Sequence, residues 1–319
     1  MRKRLLSLWR YLIVMRTKSM AEHHHMCEHH HHHHEEVDEK SVKLLLISFI
    51  INMGLSAVEF IGGVVAGSMA LIGDALHNTS DALSILIAVI AFRIGNRKAT
   101  EKYTYGFKRA EVIGGFVNLI LLFISGCYLL IEGIWRLIQP EPISGAMIVV
   151  ISVLALIIDA LTAKISHHHA AHNTNMKMVF LHNLADAFGS VGVIVSGLCV
   201  MWFGIYWVDG AVALAIAVYM IVQAIISFPD IVHILMNAAP DDVDLKELEK
   251  AILTVKGVKD VHHIHLWRIS EQDSSLECHI TSCDKKVLQK IKKVLSEKFQ
   301  IHHCTIQIED DCADCDCQL

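Results

Sequence analysis

The chain is predicted to be an α-helical membrane protein with six transmembrane helices, followed by a small C-terminal α+β domain. Three observations predict this. The 319 residues are 53% hydrophobic and only 19% charged, with a mean hydropathy of +0.44, too apolar for an ordinary water-exposed domain. Six apolar runs are each long enough to cross a bilayer as a helix, which takes about 20 residues. After Pro240 the composition turns polar, and the pattern becomes one of amphipathic helices and alternating strands. A net charge of −5 with neutral histidines gives no reason to expect a nucleic-acid partner. The outlying count is histidine, at 22.

The first segment, 1–40, is expected to be cytosolic and His-rich. It opens "MRKRLLSLWRYLIVMR", a basic head and an apolar stretch interrupted by Arg10. No small-x-small cleavage signal follows, so the stretch is predicted to be an interfacial amphipathic helix on lipid rather than a cleaved signal peptide; a disordered leader is the plain alternative. The transmembrane domain is expected over 41–230, with runs at roughly 43–66, 69–92, 111–135, 145–166, 178–202 and 207–228. The link after the second run holds Arg93, Arg97, Lys98, Lys102, Lys108 and Arg109, and the link at the end of the fourth holds Lys164, Lys177 and "HHHAAH". The odd-numbered links, Gly67-Ser68, "QPEPISG" and "FGIYW", hold no Lys or Arg. The positive-inside rule then places the even-numbered links and both termini in the cytosol. An integral protein of the cell membrane is expected, and the same topology would serve in an organelle.

The C-terminal domain is expected over 240–319. "DLKELEKAILTVKG" reads as a helix, "VKDVHHIHLWRIS" and "LECHITSC" as strands, "KKVLQKIKKVLSEKF" as an amphipathic helix and "HHCTIQIE" as a last strand. That α-β-β-α-β order makes a two-layer α+β domain. Six of the nine cysteines, Cys278, Cys283, Cys304, Cys312, Cys315 and Cys317, fall here. In the cytosol they stay reduced and are able to bind metal. Cys312 and Cys315 form a C-x-x-C word in the tail, half of a structural zinc set.

Within the membrane runs one short word, H-N-x-x-D-A, occurs twice, in "GDALHNTSDALS" and "FLHNLADAFGS". Residues four apart lie on one helix face, so His77 and Asp81 point the same way, as do His182 and Asp186. The first pair lies roughly 12 and 18 Å into its run at the helical rise. The second lies nearer its end unless that helix begins a turn earlier, near Asn173. A carboxylate in hydrocarbon is costly and calls for a partner or a wet cavity. Two imidazoles and two carboxylates form a complete tetrahedral set for Zn²⁺, and the two carboxylates neutralise the dication. The two spans run in opposite directions, so the pairs can meet within the membrane. Runs one to three and four to six then read as an inverted repeat with a site at its interface.

One intramembrane His or Asp would suit a helix–helix hydrogen bond; two matched pairs favour a site. Asn52, Glu59, Glu132 and Asp159 are weaker candidates for the path, with packing as an equal reading. A membrane metalloenzyme would need an open coordination position and a general base, as in H-E-x-x-H, and no such word occurs. The chain is therefore not expected to be an enzyme. A non-transporting zinc sensor or store fits the histidine runs but not six spans around an intramembrane site.

The two H-N-x-x-D words, "YTYGFKRAEVIGGF" entering the third helix, the His-rich cytosolic segment and "VHHIHLWRIS" resemble the cation diffusion facilitator family, which includes zinc transporters. The likeness covers about residues 41–310. It implies a homodimeric, proton-coupled exporter of Zn²⁺ with a ferredoxin-like cytosolic domain, and a transport site at His77, Asp81, His182 and Asp186. The H-D/H-D set resembles zinc-type members; Asn78 and Asn183 depart from many of them, which leaves Co²⁺ and Cd²⁺ open. His262, His279, His302 and Glu309 resemble positions where members bind regulatory or structural zinc at the cytosolic dimer interface. "EHHHMCEHHHHHHEE" and "HHHAAH" are metal-binding compositions near the cytosolic entrance; for His29–His34 an expression tag is the alternative.

Overall fold

The computed structural model describes residues 39–95, 97–170, 174–270, 273–282, 284 and 286–309. The leader helix, the His29–His34 run, the side chains of "HHHAAH" and Cys283, Cys312, Cys315 and Cys317 lie outside the described residues. The chain divides into a helical unit of Lys40–Ala238 with Arg268–Asp273, and a C-terminal unit of Ala239–Trp267 with the residues from Ser274 onward.

Six long helices build the first unit: α1 Glu39–Ala66, α2 Met69–Gly95, α3 Ala110–Ile138, α4 Gly145–Ala170, α5 Thr174–Phe203 and α6 Trp207–Leu235. Five of them carry a stretch long and apolar enough to cross a membrane, and the described apolar part of α4 is Gly145–Leu161. Several helices outrun their apolar stretches; α6 continues through Pro229 to Leu235. Hydropathy marks only the lipid-spanning part, whereas the hydrogen-bonded ladder continues into the interface.

The junction of α1 and α2 shows how tightly one short link is specified. Gly67 takes φ +74°, the left-handed conformation that glycine enters without a Cβ penalty. Its N–H donates to Val64 O, and Ser68 N–H donates to Gly63 O at 2.9 Å, closing α1 in a Schellman turn. Ser68 then caps α2, its Oγ accepting from Leu71 N–H at 3.1 Å. The remaining donors go to a distant residue. Asp209, buried at the start of α6, accepts from Met69 N–H at 2.8 Å and Ala70 N–H at 3.3 Å, and the Ser68 hydroxyl donates to its other oxygen. One carboxylate thus answers the exposed N–H groups and the positive end of the helix that carries His77 and Asp81.

Glycines bring two helix pairs into backbone contact. A Cβ on Gly210 of α6 would come within 3.1 Å of Gly133 O and Leu137 N of α3. One on Gly145 of α4 would come within 2.6 Å of Gly197 O of α5. With lipid as apolar as the side chains, such close approach is the main source of association.

The C-terminal unit contains α7 Leu245–Leu253, β1 Asp260–Arg268, β2 Ser274–Thr281, α8 Val287–Phe299 and β3 His303–Glu309, with sheet order β1-β2-β3. Strands β2 and β3 pair in parallel, with Cys278 opposite Ile306 and Thr281 opposite Glu309, and α8 makes the crossover. Alternation on β2 sends Leu276, Cys278 and Ile280 into the core against Val287, Ile291 and Leu295 of α8. His279 therefore points to the other face. Cys278 does not fit the metal-binding role expected of it: burial, with Cys304 and Glu277 nearby, pushes its thiol up to about 11, whereas metals take the thiolate.

Two outcomes are expected. Asp209→Ala leaves buried N–H groups without acceptors and lowers stability by about 1–3 kcal/mol, read as a lower thermal midpoint of the detergent-solubilised protein. The Cys278 thiol holds its proton more tightly folded than unfolded, so its contribution is intact at neutral pH. It falls as pH rises from the ordinary thiol value near ~8.5 toward 11. The alkaline loss of stability should be smaller in Cys278→Ala than in the wild type.

Candidate metal centre

Both copies of the H-N-x-x-D word stand at the same offset from their helix starts. His77 lies eight residues after Met69, and His182 eight after Thr174. The earlier start of α5 therefore brings its pair to the same distance from the helix end as the pair on α2.

From α2, His77 Nε2 lies 3.4 Å from Asp81 Oδ2, one turn along. Across to α5 it lies 3.2 Å from Asp186 Oδ1. One ligand atom from each of His77, Asp81 and Asp186 falls within 4.8 Å of the others, the separation of atoms around a single ion. The backbone of His182 lies on α5 four residues before Asp186; its side chain lies outside the described residues. His77 is 7% exposed. In the absence of metal, an imidazole nitrogen facing two carboxylates is a place for a proton. Metal ligation needs the bare nitrogen, so a dication and a proton would compete for it.

A cavity of about 460 Å³ opens onto the group, between α2, α5 and α6; Asp74, His77, Asp186, Gly189, Gly192 and Tyr219 are among its lining residues. Gly189 leaves room beside Asp74, where a Cβ would reach only ordinary contact at 3.5 Å. The Tyr219 ring meets His77 edge-on, centroids 5.3 Å apart. Asp74 and Tyr219 were not among the sequence candidates. Asp74 stands three residues before His77 and so shares its helix face; nothing in the sequence ties Tyr219, on α6, to the word on α2.

The "YTYGFKR" segment forms a turn into α3. Gly106 takes φ +73° and donates its N–H to Tyr103 O at 2.9 Å. Arg109 ends the turn hydrogen-bonded to Asn237 after α6.

In the C-terminal unit a second group forms on the sheet face away from the helices. His262 Nε2 lies 3.2 Å from Glu309 Oε2, and His279 Nδ1 lies 2.7 Å from Glu309 Oε1. Ligand atoms of His262, His279 and Glu309 fall within 4.8 Å of one another. Two imidazoles and a carboxylate suit Zn²⁺ and leave a fourth position for water or another donor. Asp260 Oδ2, 3.0 Å from His262 Nδ1, orients that ring so that Nε2 faces the group. The His263 ring lies 4.7 Å from His279 and 4.4 Å from His265, a crowding of imidazoles that the sequence reading did not single out. His302 does not join them. It precedes β3, is exposed, and its Nδ1 lies 3.1 Å from Ser296 Oγ on α8.

Comparison with known proteins bears on both units. Residues 45–236 match the family described as the cation efflux transmembrane domain, and residues 240–311 match the cation efflux protein cytoplasmic domain. The metal cation efflux system protein CzcD of Cupriavidus metallidurans is 35% identical over 280 residues, covering 85% of this chain and 87% of that one. The cadmium, cobalt and zinc/H(+)-K(+) antiporter of Bacillus subtilis is 32% identical, covering 84% and 89%. The zinc transporter ZitB of Escherichia coli is 30% identical, covering 88% and 92%.

Asp260→Asn weakens the hold on His262 without removing a ligand. Zinc titration of the full-length protein is expected to show one class of sites weakened about tenfold, with the total zinc bound at saturation unchanged.

Proposed function

The chain belongs to the cation efflux family and exports divalent metal cations, and we propose that its cation is Zn²⁺, carried out of the cytosol in exchange for protons. It is a transporter and not an enzyme. The observation that supports this reading best is the meeting of His77 and Asp81 on α2 with Asp186 on α5, three ligand atoms around one point beside a cavity. His182, one turn before Asp186, supplies the fourth ligand. Two imidazoles and two carboxylates satisfy tetrahedral zinc and cancel its charge inside the membrane.

The exchange follows from the same geometry. Zn²⁺ entering from the cytosol displaces protons from His77 and His182. Alternating access of the α2–α5 interface then presents the site to the other side, where protons displace the metal. Because metal and proton compete for the same imidazole nitrogens, uptake depends on the pH difference across the membrane. The reading includes a homodimer in the cell membrane with both termini cytosolic. In each C-terminal domain, zinc at His262, His279 and Glu309 biases the pair toward one transport state.

Cd²⁺ or Co²⁺ as cargo is the second reading, favoured by the relative from Bacillus subtilis, whose name includes both. The nitrogen and oxygen donors of this site suit Co²⁺ as well as Zn²⁺; the softer Cd²⁺ prefers sulfur.

Proteoliposomes holding the full chain are expected to take up Zn²⁺ against an opposing pH gradient and to slow when the gradient is collapsed. Asp81→Ala and Asp186→Ala each remove one of four ligands and should lower uptake about tenfold or more. Uptake by Asp81→Ala at the wild-type rate would sink the site assignment. Competition with Co²⁺ and Cd²⁺ ranks the cargoes.

A further inference from the structure

The proposed ligands leave a second set of buried acids without a role. Glu59 on α1 is 0% exposed, Asp74 on α2 is 3% exposed and Asp159 on α4 is 9% exposed. Asn78, the residue after His77, donates its Nδ2 hydrogen to Glu59 Oε2 at 3.0 Å. The Ser190 hydroxyl of α5 lies 3.0 Å from Asp159 Oδ2 and 3.4 Å from Asp74 Oδ2, within reach of both acids. Glu59 Oε1 is buried and has no hydrogen-bond partner among the described residues.

The charged groups that act on Glu59 are Asp74 and His77 from α2 and Asp159 from α4, and Asp186 of α5 acts on Asp74 in turn. An ionised Glu59 would keep one oxygen bare in the interior, beside two further acids. A proton on Oε1 removes that charge. A dication arriving at His77, Asp81 and Asp186 has the opposite effect, because its field favours negative charge on every carboxyl around it.

We propose that Glu59 is a proton-carrying residue of the transport cycle, protonated while the site is empty of metal and ionised when the metal binds. This rests on the assignment of the metal to His77, Asp81 and Asp186. On metal binding the Oε1–H bond of Glu59 breaks, its electron pair stays on the carboxylate, and the proton is taken up by water, which has access to the cavity that Asp74 lines. Asn78 holds the other oxygen throughout, which ties Glu59 to the helix turn that carries His77. The metal therefore exchanges with a carboxylic proton as well as with imidazole protons.

Infrared difference spectra of the full-length protein in lipid, recorded before and after adding Zn²⁺, test this directly. The wild type is expected to lose one protonated-carboxyl C=O band on zinc addition, Glu59→Asp to lose a shifted band, and Glu59→Gln to lose none. Asp81→Ala should keep the band when zinc is added. In proteoliposomes, Glu59→Gln should move fewer protons per zinc ion, by up to one. No band loss in the wild type, the same loss in Glu59→Gln, or an unchanged proton-to-zinc ratio overturns the proposal. Zinc uptake by Asp81→Ala at the wild-type rate would instead defeat the underlying site assignment. If uptake requires the ligands yet Glu59 keeps its proton when zinc arrives, only this inference fails.

Discussion

Charge inside a membrane has to be balanced where it sits, because hydrocarbon neither solvates nor screens it. The helical unit meets that requirement at two levels. His77 lies between Asp81 and Asp186, so one ring nitrogen faces two carboxylates from two helices. Around them, Glu59, Asp74 and Asp159 are each tied to a polar neighbour, Asn78 or Ser190. The surplus is negative, and only positive charge within the same enclosure cancels it.

The scaffold serves that enclosure. Asp209 anchors the N-terminus of α2, two turns before His77, and does so from α6, the helix whose Tyr219 meets the imidazole. In the C-terminal unit the division of labour is made by strand alternation. Leu276, Cys278 and Ile280 fill the core, and His279 between them turns to the face where His262 and Glu309 stand. The pairing of Thr281 with Glu309 sets that face, since a slip of one residue would turn Glu309 into the core.

Much of this was legible in the sequence because it rests on local period. Apolar length marks the spans, and a spacing of four places His77 with Asp81. Alternation separates Cys278 from His279, although the sequence count of cysteines credited Cys278 with a thiolate that its burial denies it. Contacts between elements were not legible where no repeated word announced them. Asp209 caps a helix 140 residues away, and Tyr219 reaches the site from a helix with no motif. Asp74 was within reach of the reading, one turn from His77, but it lies outside the repeated word. His302, chosen with the others by resemblance, stands outside the group that His262, His279 and Glu309 form. Its own ring turned back to Ser296.

Where Gly210 meets Gly133, and Gly145 meets Gly197, main chain approaches main chain, with Arg136 Cβ beside Gly210 and the Ile148 and Val149 side chains beside Gly197. Each of those pairs, α3 with α6 and α4 with α5, is closely packed along its length at these glycines. Between α5 and α6, by contrast, Gly189 and Gly192 line the cavity. A seam with room in it thus lies directly beside His77, Asp81 and Asp186.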